Sequence, residues 1–259
     1  MAHPSKIIGS VQKSLDILDL FNAATPELGT TEIAAAMGFH KSTVAGLIYT
    51  LQAKGYLRQN PATRKYRLGL KLAERASIML SHVEIRQVAL PQLQELHDCF
   101  DETVNLAVLD GADVVYVERL LSRRALGMRS EVGKRMLAHS TALGKAILSC
   151  WTLELVQAFI KQHGLVAVTP HTITEPAKLL YELDRTREQG FAMDDEENEP
   201  GGRCVAAPIF DHTGQVVAAA SVSVPTSRLS ISEIPKVGMK VREIAKAISC
   251  NLGYLPHAY

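Results

Sequence analysis

The sequence has little of several features that would restrict its function. Only four of its 259 residues are cysteines, at positions 99, 150, 204 and 250, and their spacing fits neither a metal-binding knuckle nor a compact disulfide framework. No run of 18 or more apolar residues occurs, so no transmembrane helix is predicted. The first residues also lack the uninterrupted apolar core of a signal peptide. These absences predict a reduced, cytoplasmic protein without a membrane segment, a metal site or a cofactor.

Charge is nearly balanced over the whole chain, with a formal net charge of +1, but it is unevenly distributed. Residues 1–80 contain ten Lys or Arg and five Asp or Glu. The rest of the chain contains 18 Lys or Arg and 22 Asp or Glu. A small basic part followed by a larger acidic part indicates that only the first contacts a polyanion. Random scatter in surface charge explains the same counts equally well, so charge alone does not distinguish a DNA-binding part from an ordinary surface. The sequence motifs are needed for that distinction.

An amphipathic helix is predicted over residues 9–22. Its apolar residues Val11, Leu15, Leu18 and Phe21 recur at helical spacing, and they are expected to form its buried face. A Thr-Pro-Glu-Leu-Gly run then interrupts the helical pattern.

Two further helices and a hairpin follow closely. Residues 30–37 predict a short helix that ends at Gly38, and residues 41–54 predict a third helix. The third helix is expected to bury Val44, Leu47, Ile48 and Leu51. Alternating residues on either side of an Asn-Pro turn predict a hairpin over 56–68. This order of elements is that of a winged helix-turn-helix.

The exposed residues of the third helix and the hairpin suit contacts with DNA. A recognition helix lies in the major groove with its N-terminal residues facing base edges, and basic hairpin residues follow the phosphates. The predicted DNA-binding residues are Lys41, Ser42, Thr43, Tyr49, Thr50, Arg58, Arg64, Lys65 and Arg67. Helix capping by Ser42 and Thr43, and solvated surface cations on the hairpin, are the alternatives.

The segment ELGTTEIAAAMGFHKSTVAGLIYTLQAKGYLRQNPATRKYRLGLKL resembles the IclR family of bacterial regulators. The shared features are the TTEIA helix, the KSTV opening of the third helix, and the GYL entry into a hairpin that ends in YRLG. One departure concerns the two positions after STV, where the family often has a large polar residue and an Arg. Here they are Ala45 and Gly46, so operator preference cannot be transferred. Gly46 should also weaken the helix by roughly 1 kcal/mol.

Beyond the hairpin, residues 69–90 predict a helical linker, formed by two short helices with a break near Ser81 and His82. Strands and helices alternate after it. The predicted strands span 102–110, 113–121, 124–130, 190–195, 203–211 and 215–224, and helices begin near Thr141, Leu153, Pro176 and Glu233. Strands grouped as hairpins with helices apart predict an α+β sheet rather than a doubly wound one.

Two C-terminal segments, LAHSTALGKAILS at 137–149 and the stretch 190–225, extend the resemblance to nearly the whole chain. It implies a winged helix-turn-helix over 1–70, a linker helix over 71–88, and a GAF/PAS-like α/β domain for effector binding and oligomerisation over 89–259. It further implies a repressor or activator, as a homodimer or a dimer of dimers, that binds double-stranded DNA at an inverted-repeat operator and responds to a small-molecule effector.

The resemblance also implies an effector pocket. Its expected residues are Met128, Met136, Ala142, Leu143, Asp194, Gly202, Cys204, Ser221 and Ser223. A helix N-terminus at 142–143 offers free N–H groups to an anion, and two serines two residues apart face the same side of a strand. The alternatives are core methionines, solvent-facing serines and an inert buried thiol.

The acidic run at 194–197 lacks the alternating oxygen ligands and the closing Glu of a calcium loop, so we expect it to be solvated or to start a helix. The DEENE segment and the tail ISCNLGY most resemble the family branch that controls hexuronate and ketodeoxygluconate catabolism. That resemblance implies a sugar-acid or 2-keto-acid effector.

Two other functions stay open from the residues alone. An enzyme could use Cys204 as a nucleophile and His139 as a base, in which case a candidate ligand would be turned over. An interaction scaffold could use the helix-turn-helix only for protein contacts, in which case salt-sensitive binding to duplex DNA would be absent.

Overall fold

The computed structural model describes residues 7–22, 24–81, 84–124 and 131–255. The chain forms two compact units, with the boundary between positions 82 and 83. Among the described helices, none combines the length and the apolar character that crossing a membrane requires.

The N-terminal unit has the predicted helix, helix, helix and hairpin order. Its elements are α1 (Gly9–Asp19), α2 (Thr30–Met37), α3 (Lys41–Ala53), β1 (Leu57–Gln59), β2 (Tyr66–Leu68) and α4 (Leu70–Ser81). Its buried core consists of Ile17, Phe21, Ile33, Ala34, Val44, Ile48, Leu51 and Leu57. Gly38 ends α2 in the left-handed conformation, as predicted.

The predicted buried face of the first helix is wrong in part. Val11 and Leu15 are 54% and 56% exposed, whereas Ile17 is fully buried. The helix also ends at Asp19, so Phe21 enters the core from the segment that follows it. The reason is that α1 carries two apolar stripes, and helical spacing alone does not tell which of them faces α2 and α3.

The C-terminal unit is built on one antiparallel sheet. Its strands are β3 (Thr103–Asp110), β4 (Asp113–Leu120), β5 (Arg135–Leu137), β6 (Ala192–Asp195), β7 (Gly202–Phe210) and β8 (Val216–Pro225). Its helices are α5 (Glu84–Phe100), α6 (Ala142–Leu148), α7 (Leu153–His163), α8 (Pro176–Gln189) and α9 (Ile234–Asn251). The strand order is β5-β4-β3-β8-β7-β6. The α+β prediction is therefore confirmed.

The two faces of the sheet are covered by different helices. In β8, Ala218, Ala220 and Val222 pack into the cluster formed with α5 and α9. Ala219 packs into the other cluster, which includes α6, α7 and α8. Since successive side chains of a strand alternate between faces, Ser221 lies on the same face as Ala219. The alternation therefore places the predicted serines on the α6 side.

Three elements differ from the prediction or cannot be compared with it. The short strand β5 was not predicted, because three residues give no measurable periodicity. The predicted strand 124–130 lies almost wholly outside the described residues. The linker region does contain two helices, but the second continues through Pro91 to Phe100, where the burial of Leu93 and Leu96 favours the helix.

Candidate DNA-binding surface and effector pocket

Helix α3 buries one side and exposes the other. Val44, Ile48 and Leu51 lie in the core of the N-terminal unit. All five of its predicted DNA-binding residues are exposed: Lys41, Ser42, Thr43, Tyr49 and Thr50. Tyr49 is 74% exposed, a large value for an aromatic residue in the middle of a helix. This side of α3 is therefore free to enter a groove of a binding partner.

The N-terminus of α3 argues against the capping alternative for Ser42 and Thr43. The residue at the N-cap position is His40, which makes no side-chain capping bond. Ser42 and Thr43 are the second and third residues of the helix, inside its first turn. The Ser42 hydroxyl instead lies 3.4 Å from Nδ1 of His40, so it caps no backbone N–H of the helix.

The hairpin of β1 and β2 places cations opposite one another. Arg58 pairs with Arg67 in the strand register, and Arg64 lies in the turn in the left-handed conformation, with a φ of 60°. The side chains of these three arginines form no hydrogen bond or ion pair with any described residue. Like charges directly across an antiparallel pair repel each other, so an anion between them would stabilise the hairpin.

Acidic residues attach the hairpin to the start of α2. The Glu27 carboxylate accepts hydrogen bonds from Asn60 Nδ2 at 2.9 Å and Thr63 Oγ1 at 3.1 Å. Lys65 Nζ lies 2.8 Å from Glu32 Oε1. Leu28 adds a backbone bridge to Tyr66, which the sequence did not indicate. Lys65 is thus paired directly, Arg67 interacts with the Glu27 carboxylate only through its charge, and Arg58 and Arg64 do neither.

The predicted effector residues converge on a small cavity on the α6 face of the sheet. Its walls are Tyr116, Thr141, Ala142, Leu143, Asp194, Asn198, Cys204, Ser221 and Ser223. Six of the predicted residues are among them. Met136 on β5 and Gly202 at the start of β7 lie outside these walls, and Met128 lies outside the described residues. The cavity measures about 10 Å³, which is room for about one water molecule.

Helix α6 begins at this cavity. Thr141 is its N-cap residue, and its Oγ1 accepts a hydrogen bond from Gly144 N at 3.1 Å. The N–H groups of Ala142 and Leu143 have no hydrogen-bond partner in the described chain. Gly144 is required because a Cβ there would lie 2.1 Å from the Ala138 carbonyl oxygen. The close approach of α6 to the turn Ala138–Ser140 thus sets the position of the two free donors.

A buried polar network supports the two serines. Asn105 on β3 donates from Nδ2 to Ser221 Oγ at 3.2 Å and to Ser223 Oγ at 3.1 Å. The Cys204 thiol donates to Ser223 Oγ at 3.1 Å. Because these bonds use oxygen lone pairs, both hydroxyl protons stay available for a ligand acceptor. Asn105 Oδ1 itself is buried without a partner.

The acidic run starts no helix, and the expectation of a solvated run is wrong for its first and last residues, whereas Asp195 and Glu196 are half-buried. Asp194 and Glu197 are buried, and Asp194 Oδ1 accepts hydrogen bonds from the N–H groups of Glu197 at 2.8 Å and Asn198 at 3.3 Å. The Glu197 carboxylate forms an ion pair with Lys145, which is fully buried in α6. The run therefore shapes the loop at the cavity and ties it to α6.

Burial controls the protonation of the groups at this cavity. It raises the pKa of Asp194 to about 7; Lys145 lowers this value and Glu197 raises it. Burial also raises the pKa of the Cys204 thiol and of the Tyr116 hydroxyl. Cys204 is thus a thiol at neutral pH, a hydrogen-bond donor rather than a nucleophile.

His139 and Cys204 form no catalytic pair. The Nε2 atom of His139 lies 3.0 Å from the Val166 carbonyl oxygen, and burial lowers the pKa of this imidazole. The hydrogen bond of Cys204 goes to Ser223 instead.

Residues 10–61 match the family described as the IclR helix-turn-helix domain, and residues 77–250 match the one described as bacterial transcriptional regulator IclR C-terminal. This chain belongs to the IclR family. Like its relatives, it is a DNA-binding transcriptional regulator and not an enzyme, which rejects the catalytic alternative.

Individual IclR-family members match over almost their full lengths. The HTH-type transcriptional regulator XynR of Escherichia coli K12 is 40% identical over 248 residues, covering 96% of this chain and 98% of XynR. The regulator KdgR of the same organism is 35% identical over 247 residues, covering 95% of this chain and 94% of KdgR. The crystal structure of an IclR homologue from Microbacterium hydrocarbonoxydans, complexed with 4-hydroxybenzoate, has a TM-score of 0.82 at 25% identity and covers 94% of this chain and 98% of that one.

Proposed function

We propose that this regulator binds an inverted-repeat operator as a homodimer, through α3 in the major groove and the hairpin on the phosphates. We assign DNA binding to residues 1–70, a linker to 71–88, and effector binding and oligomerisation to 89–259. The observation that carries the proposal is the set of exposed arginines at positions 58, 64 and 67 on the hairpin that follows the exposed side of α3. Their side chains form no hydrogen bond or close ion pair with a described residue, and only Arg67 has a carboxylate near enough, that of Glu27, to interact with its charge. A bacterial regulator of this kind works on chromosomal DNA, so we place it in the cytoplasm.

An apolar surface formed by α1 and the two residues before it supports the homodimer. Ile7, Ile8, Val11 and Leu15 are between 54% and 72% exposed and lie at or near helical spacing. An exposed apolar stripe of this kind is typical of a protein interface. We assign this stripe to the α1 helix of a second copy, which would bring two recognition helices onto one operator.

We further propose that a small sugar acid or 2-keto acid binds at the cavity next to α6 and alters operator affinity. The free N–H groups of Ala142 and Leu143 and the hydroxyls of Ser221 and Ser223 suit a carboxylate and its neighbouring oxygens. The homologue with bound 4-hydroxybenzoate supports a carboxylate effector, and the resemblance to the ketodeoxygluconate branch supports a sugar acid. Because the cavity is far smaller than such a molecule, its walls have to move apart on binding.

The hairpin and the recognition helix should contribute differently to DNA binding. Arg64→Ala and Arg67→Ala are expected to weaken binding to all DNA sequences alike. Each should reduce the salt slope by about 2, because the homodimer loses one phosphate contact in each protomer. Thr43→Ala is expected to change the preference at particular base pairs, at about 1–3 kcal/mol. Selection from a randomised operator measures the preference, and titrations at several salt concentrations measure the affinity and the slope, with Lys178→Ala in the C-terminal unit as a control. An unchanged consensus for Thr43→Ala would remove it from the base-reading residues.

The two serines should determine effector affinity. Ser221→Ala and Ser223→Ala each remove a hydrogen bond worth about 0.5–1.5 kcal/mol, or up to about 3 kcal/mol for a charged acceptor. Operator affinity without ligand should hardly change, because both residues lie in the C-terminal unit. Calorimetry with 2-keto-3-deoxygluconate, galacturonate and gluconate gives the affinities. Full affinity in both variants would place the effector elsewhere.

The experiment that tests the function as a whole is a gel shift on the DNA that flanks this protein's own reading frame. It is run with and without the same sugar acids. We expect a specific complex whose affinity changes with one of them. A complex that no carboxylate affects would contradict the effector proposal and leave DNA binding intact.

A further inference from the structure

A second, larger cavity lies in the C-terminal unit, away from the effector residues. It measures about 450 Å³ and lies where the end of β7 meets α9 and the C-terminal ends of α6 and α8. The residues that matter for its chemistry are Arg187, Arg242, Lys246, Phe210 and Tyr254. None of its wall residues is a wall residue of the effector cavity.

The walls of this cavity carry positive charge, of which only that of Arg187 has a carboxylate partner. Three cations line it, and no Asp or Glu is among the described wall residues. Arg242 and Lys246 are four residues apart on α9, so their side chains project from the same face of the helix. Lys246 makes no hydrogen bond or ion pair with any described residue, and Arg242 has only a long contact of 3.5 Å to the Gln189 carbonyl oxygen. Two neighbouring cations thus keep their hydrogen-bonding capacity for a ligand.

The third cation is already engaged. Arg187 donates to the Ser149 carbonyl oxygen at 2.9 Å and to Asp184 Oδ1 at 2.5 Å. Ser149 is the C-cap residue of α6, whose first residues border the effector cavity. Arg187 therefore forms part of the wall and holds the end of α6, while Arg242 and Lys246 are the cations available to an anion.

The rest of the wall is suited to an apolar or aromatic body. The rings of Phe210 and Tyr254 are stacked, with centroids 5.1 Å apart and planes inclined by 26°. Ala207 and Pro208 add apolar surface beside them. Thr186 also lines the cavity, and its buried Oγ1 has no hydrogen-bond partner. Apolar walls with a few convergent polar groups are the usual composition of a small-molecule site.

We propose that this cavity is a second ligand site, which takes a small carboxylate with an aromatic or apolar body. The carboxylate lies between Arg242 and Lys246, and the body packs against Pro208 and the Phe210–Tyr254 pair. Because Arg187 connects this wall to the end of α6, a ligand here acts on the helix whose other end borders the effector cavity. The protein then responds to two metabolites rather than one.

Calorimetry with benzoate on the full-length protein tests the proposal. We expect one benzoate per chain, weakened about tenfold or more in Lys246→Gln and in Arg242→Gln. Lys240→Gln is the matched control, because Lys240 lies on the same helix but is paired with Glu95 and Glu243 outside the cavity. The affinity of the Lys240→Gln variant for benzoate should equal that of the unaltered protein. Thermal unfolding verifies that all three variants are folded.

Further measurements separate this site from the alternatives. Ser221→Ala and Ser223→Ala should leave benzoate affinity unchanged, and inorganic phosphate should bind more weakly than benzoate because it has no apolar body. The proposal is overturned by absence of benzoate binding at millimolar concentration, or by loss of it in the serine variants but not in Lys246→Gln. Phosphate binding as tight as that of benzoate would overturn the assigned ligand class.

Discussion

Replacing Lys145 with methionine is expected to destabilise the C-terminal unit by about 3–5 kcal/mol. Lys145 is fully buried in α6, and its ammonium group is paired with the buried carboxylate of Glu197. Without the lysine, that carboxylate would stay in the interior with no counter-charge, and its Oε2 already has no hydrogen-bond partner. Truncating one member of a buried pair costs far more than the pair contributes, because the other charge stays desolvated.

Chemical unfolding followed by tryptophan fluorescence measures this loss. Trp151, the only tryptophan in the sequence, lies in the C-terminal unit and reports on it. Lys178→Met is a matched control, because this lysine is 67% exposed and forms only a surface pair with Glu175. The double variant Lys145→Met with Glu197→Leu should regain most of the stability, since it removes both charges of the pair. A loss below about 1 kcal/mol for Lys145→Met alone would show that the pair is not buried in solution.

Asp194→Asn is expected to stabilise the protein at pH 8 by about 2–4 kcal/mol, and the gain should disappear as the pH falls to about 4. Burial raises the pKa of Asp194 from its ordinary value of 3.8 to about 7. The native state therefore holds this proton more tightly than the unfolded state does. The contribution of protonated Asp194 to the free energy of unfolding is fully present below pH 4 and is lost as the pH rises through 7. Asparagine keeps the acceptor for the N–H groups of Glu197 and Asn198 and carries no charge.

Unfolding curves between pH 4 and pH 8 give the comparison. Asp211→Asn is a control of opposite sign, because the Thr213 hydroxyl lowers the pKa of Asp211 and ionised Asp211 is the favoured form. That variant should lose stability at pH 8. If the stability difference between Asp194→Asn and the unaltered protein did not depend on pH, Asp194 would have an ordinary pKa, and its burial would not control its charge.

The sequence was sufficient for features that depend on local periodicity. The order of helices and hairpin in the N-terminal unit, the left-handed Gly38 and the shared face of Ser221 and Ser223 all follow from spacings of two or four residues. The mistake over Val11 and Leu15 has the same origin, since a helix with two apolar stripes gives no local sign of which one is buried.

The parts of the proposed effector site that the sequence did not predict depend on contacts between residues distant in sequence. Asn105 and Tyr116 reach the serines and Cys204 only through the register of β3, β4 and β8, which no single segment encodes. Lys145 and Glu197 are 52 positions apart. One signal was present, because a lysine inside the apolar helix ALGKAIL has to be paired if that helix is buried. Its partner could not be chosen among the acidic residues of the 194–197 run.

The most direct test of DNA binding by a paired helix-turn-helix is the salt dependence of operator affinity. Two recognition helices and two hairpins should neutralise on the order of 8 phosphates, which predicts a log–log slope near −7. Fluorescence anisotropy on a labelled operator, from about 50 to 200 mM salt, measures that slope. A slope near −7 on an inverted repeat supports the dimer bound through both hairpins, and a slope near −2 would contradict it.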